Sequence, residues 1–277
     1  CEIRTIRLLA FWMENKIKRN KKNIYRYEEE LLDNAPEILI ENGIDVIKLL
    51  LPYIPVEKDE SIGYSDWSGR YYKRGLERAC IEIIKKANVA IIKQDPEIFL
   101  NIYSGFMGKG NDLYNEIILD GLYQLPETYS DLVINYLYSD FDSNIFDITS
   151  GNNDRLFLVK QVLGKHSKLC SEVEFDIFER NIISYVSPKA KEICQQRINH
   201  NREKNNYRAY WSFWGDLQKE ILDILPDDRL SNRAKDLICV LDRKFPQGTT
   251  LYKSYSGHAG GVSSPIAGKN LNDKSWL

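Results

Sequence analysis

The chain has 277 residues, 43% of them hydrophobic and 28% charged, and its 38 basic and 40 acidic residues leave a net charge of -2. That length suits one large or two modest globular domains, and the composition is that of a well-packed chain, not a disordered one. The near-neutral balance excludes a global pull toward nucleic acid or an anionic membrane.

In chain order, Ile3, Ile6, Leu9, Ala10, Met13 and Ile17 recur at steps of three and four, the period of one helix face. The longest apolar run, 47–56, is interrupted by a lysine and two prolines, well short of the roughly 20 residues of a membrane span. No charged, apolar, then small-residue leader opens the chain, so the expectation is a cytoplasmic protein without a membrane partner. Residues 78–93 place Cys80, Ile83, Ile84, Ala87 and Ile91 on one face, and 111–125 place Leu113, Ile117, Leu119 and Leu122 on a broad stripe. Similar stripes run through 127–138, 154–163, 172–186, 210–225 and 229–241, punctuated by Pro96, Pro126, Pro188, Pro226 and Pro246. Ser187 ahead of Pro188 reads as an N-cap, and Asp227 and Asp228 read as the acidic first turn of a helix.

No alternating strand pattern flanked by hairpin turns accompanies these stripes. Helix pairs recur every ~30–45 residues, the range of tetratricopeptide and HEAT-like units. The expected fold is therefore all-α: an irregular helical-repeat solenoid, TPR/HEAT-like, over residues 1–245, with a multi-helix bundle as the second choice. A glycine-rich loop over 246–277 follows and leads into a truncated further helix. Both ends fall in apolar-periodic sequence, so the chain is expected to be part of a longer polypeptide. Five dispersed cysteines without CxxC spacing read as reduced thiols.

Candidate chemistry is sparse. His166, Cys170, Cys194 and His200 include two zinc-ligand types, but the 24-residue gap between the cysteines and the six-residue step to His200 do not preform a site. Asp140, Asp142 and Asp147 lack the glycine and terminal glutamate of a calcium loop and read as a solvated turn. The three histidines stand near no nucleophile motif, so no catalytic, cofactor-binding or metal residue is assigned. The basic stretches 16–27 and 195–211 pair cations with tyrosines, as single-strand binders do, yet acids follow the first at once. In the non-periodic loop 56–75, Tyr64, Trp67, Arg70, Tyr71 and Tyr72 sit among glycines and serines, the composition of a partner-contact surface, although Trp67 would equally serve as a loop anchor. The tail is not a phosphate loop: six or seven residues separate Gly260 and Gly261 from Gly268–Lys269, and Asn270 stands where a hydroxyl is required.

Three segments in order carry a resemblance: "AYWSFWGDLQKEILDILPDDRLS" (209–231), "LDRKFPQG" (241–248) and "SGHAGGVSSPIAGKNLNDKSWL" (256–277). Trp214, Gly215, Asp216 and Gln218, then Arg243, Lys244 and Phe245, then Gly260, Gly261, Ser264, Pro265, Ile266, Asp273, Trp276 and Leu277 fit a W/F-G-D-x-Q block, an L-x-R-K-F turn and a glycine-rich loop. This pattern resembles the helical C-terminal region of the bacterial antiviral STAND NTPases of the AVAST (Avs) group and their ATP-binding relatives, over about the last quarter of the chain. The resemblance implies a segment of a helical array that senses a viral protein, oligomerises on activation, and belongs to a parent chain whose effector, ATP and magnesium sites lie outside this sequence. No catalytic motif of that family has a counterpart here. The rival readings are an all-helical enzyme domain, a nuclease or transferase using dispersed carboxylates, and a helical nucleic-acid-binding module.

Overall fold

The computed structural model describes residues 42–54, 76–108, 112–141, 144–145, 153–186, 190–203, 214–246 and 248–249, and among these every regular element is helical. Residues 42–50 form α1, closed by a 3-10 turn at Leu51–Tyr53. There follow α2 (Leu76–Gln94), α3 (Pro96–Tyr103), α4 (Asp112–Gln124), α5 (Ser130–Ser139), α6 (Asn153–His166), α7 (Glu172–Ser184), α8 (Ala190–Glu203), α9 (Asp216–Leu222) and α10 (Asn232–Lys244). The expected stripes are the buried ones: Cys80, Ile83, Ile84, Ala87 and Ile91 of α2 and Leu113, Ile117, Leu119 and Leu122 of α4 all lie in the core. Cys80, Cys170 and Cys194 are buried thiols and Cys239 is an exposed one.

Local sequence sets the helix starts. Asp95 accepts the Glu97 N–H and is followed by Pro96, whose missing N–H costs nothing in a first turn. Ser171 and Ser231 accept the N–H groups of Glu174 and Ala234 to cap α7 and α10. Asp227 and Asp228 do not open a helix as the sequence suggests. They lie in a turn closed by the Arg229 N–H on the Pro226 carbonyl, and the cap falls to Ser231. Two elements go beyond the expected stripes: the eight-residue α3, and α8, whose polar sequence buries only Cys194 and Ile198 among its described side chains.

Packing follows a rule of two. Helix α4 packs on α2 and on α6, and α5 on α7, while neighbours α2–α3, α5–α6 and α9–α10 form antiparallel pairs. Polar contacts fix the directions. Lys165, at the end of α6, donates to the Tyr123 and Leu125 carbonyls at the end of α4 (both 2.7 Å), so α4 and α6 run the same way. At the start of α7, the Ser171 N–H reaches Asp131 at the start of α5 (2.6 Å), so these two also run together. Ser130, at the start of α5, meets His166 at the end of α6, so the two sets oppose each other. The starts of α2, α4 and α6 fall at 76, 112 and 153, and those of α3, α5 and α7 at 96, 130 and 172. Within each set the helix starts thus follow at steps of 34 to 42 residues. The next pair, α9 and α10, starts at 216 and 232, which is 63 and 60 residues after α6 and α7, and α8 lies in the added length.

The core is continuous from Val46 to Leu241. Phe99 of α3 is fully buried against Gly121 of α4, where a Cβ would stand 2.3 Å from the ring, so only glycine lets these two helices approach so closely.

Candidate functional site

Two of the three segments behind the resemblance fold against each other. The chain enters α9 through Trp214 and Gly215, and Gly215 has φ +104°, a left-handed conformation that side-chain-bearing residues rarely take. A Cβ there would lie 2.8 Å from Leu241 Cδ2 and 3.3 Å from Phe245 Cε2, so the last turn of α10 closes directly over this glycine. Gln218, 2% exposed, spends both ends of its amide: Oε1 accepts the Gly215 N–H (3.1 Å) and Nε2 donates to the Tyr185 carbonyl after α7. Lys244 donates to the Trp214 carbonyl, its ammonium 5.9 Å from the Trp214 ring centroid and 5.1 Å from that of Phe245. The block and the turn are therefore one joint, in which a lysine caps a carbonyl and lies near two aromatic faces.

Charged groups extend this joint. Lys219 of α9 pairs with Asp223 (2.6 Å) and with Asp242 of α10 (2.5 Å). Burial pulls its pKa down, but the two carboxylates outweigh it and hold the ammonium above its ordinary value. Glu220 pairs with Lys160 of α6 and accepts from the Thr249 hydroxyl. Thr249 is buried, and with the Gly248 N–H on the Phe245 carbonyl (2.9 Å) it turns the first residues after α10 back onto α9. What this arrangement does chemically is positional: it fixes where the chain goes after Phe245.

A second polar cluster sits between α4, α5 and α6. His166 is fully buried, with Nδ1 2.9 Å from Ser130 Oγ and Nε2 3.0 Å from the Leu122 carbonyl. The carbonyl can only accept, so Nε2 carries the proton and Nδ1 accepts from the serine hydroxyl. Burial, with Lys165 next in effect, lowers its pKa to about 4 and keeps the ring neutral. This resembles a nucleophile–base pair in composition alone, because Ser130 is 1% exposed and a substrate has no way to reach it. Cys170 lies beside Arg229, 3.6 Å from Sγ to Nη1, and burial pushes its thiol up against the pull of that guanidinium. His166 and Cys170 are thus both engaged with protein groups, while Cys194 is buried and His200 exposed on α8. Among the described residues no group of three or more His, Cys, Asp or Glu side chains is placed to hold a metal ion.

Tyr64, Trp67, Arg70, Tyr71 and Tyr72 lie outside the described residues, as do Asp142, Asp147, the basic stretch 16–27 and the tail from 250 onward. Asp140 closes α5, its carbonyl taking the Asn144 N–H. No described helix is long and apolar enough to cross a membrane. What the sequence did not give is the Lys244–Trp214 contact, which spans 30 residues; the adjoining small residue, Gly215, was its one visible trace. No family model, curated protein or solved structure matches the chain.

Proposed function

We propose that the chain is a protein-binding segment of a helical-repeat solenoid, and that it serves as part of the sensor array of an anti-phage NTPase, engaging a large viral protein. The observation that carries the binding reading is the packing of α4 on α2, of α6 on α4 and of α7 on α5, helices whose starts follow at steps of 34 to 42 residues. Such stacks lengthen without enclosing a cavity and offer extended surface to folded partners. The finer identification is supported by the meeting of Trp214, Gly215 and Gln218 with Lys244 and Phe245 in one joint. In this reading the segment itself catalyses nothing, acts in the cytoplasm, and passes partner binding to an ATP- and magnesium-dependent module elsewhere in its parent chain, with oligomerisation as the output. Tyr64, Trp67, Arg70, Tyr71 and Tyr72 would contribute contacts.

The test is retention of individual phage structural proteins on the tagged chain across a range of salt. A stoichiometric, salt-tolerant complex that Trp67→Ala and Tyr71→Ala weaken is the expected result. Failure to retain any phage protein, with nucleic acid co-purifying and released by salt, would overturn it in favour of a nucleic-acid module.

A further inference from the structure

The four turns that lead from one helix set to the other, around Asp95, Pro126, Ser171 and Pro226, form one rim of the stack. Large apolar side chains gather there. Tyr123 (37% exposed), Leu132 (41%), Leu169 (44%) and Val173 (67%) all lie at the two central turns, and they make up four of the seven exposed large hydrophobics among the described residues. Leu132 and Val173 each lie within two positions of the Asp131–Ser171 hydrogen bond that ties the two turns together.

The rim is braced. Lys165 joins α6 to the end of α4 and lies 5.5 Å from the Tyr123 ring centroid; Arg229 donates to the Ser167 carbonyl and pairs with Glu172; and Tyr129 donates to Glu97 across the first two turns. Apolar side chains held on a cross-linked frame lose little freedom when covered, which is what a docking surface requires. The exposed charge around them is mostly negative: Glu97, Glu127, Asp131, Asp227 and Asp228 face solvent, against Lys93, Lys168 and Arg233. Lys165 and Arg229 are half-buried and committed to the braces.

We infer that this rim is a docking surface for a partner-protein segment that presents lysine or arginine beside apolar side chains. The apolar spots supply contact area, and the carboxylates select the sign of what flanks them. Nucleic acid and anionic lipid meet like charge there, and a second copy presenting the same rim would set carboxylate against carboxylate. The inference rests on the protein-binding reading above and names the surface and the chemistry of its partner.

The probe is a fluorescein-labelled amphipathic 18-residue leucine/lysine peptide, with a leucine/glutamate peptide of the same pattern, titrated against the full chain by anisotropy. The leucine/lysine peptide should bind and the leucine/glutamate peptide should not. Leu132→Ser with Val173→Ser should weaken binding about tenfold, and Glu127→Lys with Asp228→Lys several-fold and less at high salt, whereas Val240→Ser on α10 should change nothing. No binding, or binding indifferent to the rim changes, overturns the assignment, and so does sedimentation showing that the rim residues bury themselves in a dimer. Failure here is separable from failure of the broader reading: a phage protein retained equally by rim variants keeps that reading and removes the rim, while peptide docking with no phage protein retained does the reverse.

Discussion

Between α4, α5 and α6 the joint is made of fully buried Ile117, Ile118, Leu122, Val159, Val162 and Leu163, with neutral His166 sealed among them. Between α9 and α10 it is made of Gln218, Lys219, Lys244 and a left-handed glycine, and α10 itself buries only Ala234 and Leu241. In each joint one buried polar side chain, His166 or Gln218, is paired at both ends, yet the first gains from apolar area and the second from directed contacts. The central block should therefore resist salt and respond to core volume, while the last pair should respond to charge and backbone geometry.

The largest effect tests the volume side. Phe99→Ala should cost about 4 kcal/mol by leaving a cavity, and Gly121→Ala about 3 kcal/mol by driving a methyl into that ring. Combined, the two should cost clearly less than their sum, read from urea midpoints. If the costs simply add, the close approach of α3 and α4 is not what the glycine serves.

Next comes acid. His166 is held neutral with its pKa lowered to about 4, below its unfolded value near 6.5. Between these values the unfolded chain binds the extra proton, so stability is complete above about pH 6.5 and falls as pH drops toward 4, by up to about 3 kcal/mol. His166→Gln should flatten this stretch of the profile. An unchanged slope would assign the acid response to carboxylates instead.

Gly215→Ala should cost about 2 kcal/mol, from positive φ and the contact with Leu241. Its mark is locality: amide exchange should quicken in α9 and α10 and hold steady in α4 and α6. The smallest effect belongs to Lys219→Met, about 0.5 kcal/mol, fading at about 0.5 M salt because Asp242 is more than half exposed. A loss that survives salt would mean that Lys219 acts through packing.

Much of this fold is legible in the sequence, and the misses have physical causes. The stripes of α2 and α4 are readable because each residue that must be buried recurs at helical spacing. Helix α3 escapes because PEIFLNIY is only two turns long, too short for its one buried step, Phe99 to Tyr103, to recur. Helix α8 carries no readable stripe for another reason, with Cys194 and Ile198 the buried ones among its described side chains, although Ser187 and Pro188, which lie outside the described residues, point to a helix start just before it. Asp227 and Asp228 mislead because an acidic pair after proline is also a good turn, and the inward pull of Arg229 toward Ser167 and Phe175 decides between them. At the α9–α10 joint the participating residues stand out as motifs, but their pairing is long-range and no local pattern encodes it.

The same-sense stacking has a consequence for how the chain is made. Helix α4 rests on α2, α6 on α4 and α7 on α5, each on one synthesised before it, so a newly emerged helix finds its docking face already assembled. Folding can then keep pace with translation, one helix at a time, without waiting for the distant end of the chain. The added length that holds α8 would impose a pause in that rhythm, a delay of about twenty residues before α9 and α10 can settle on α6 and α7.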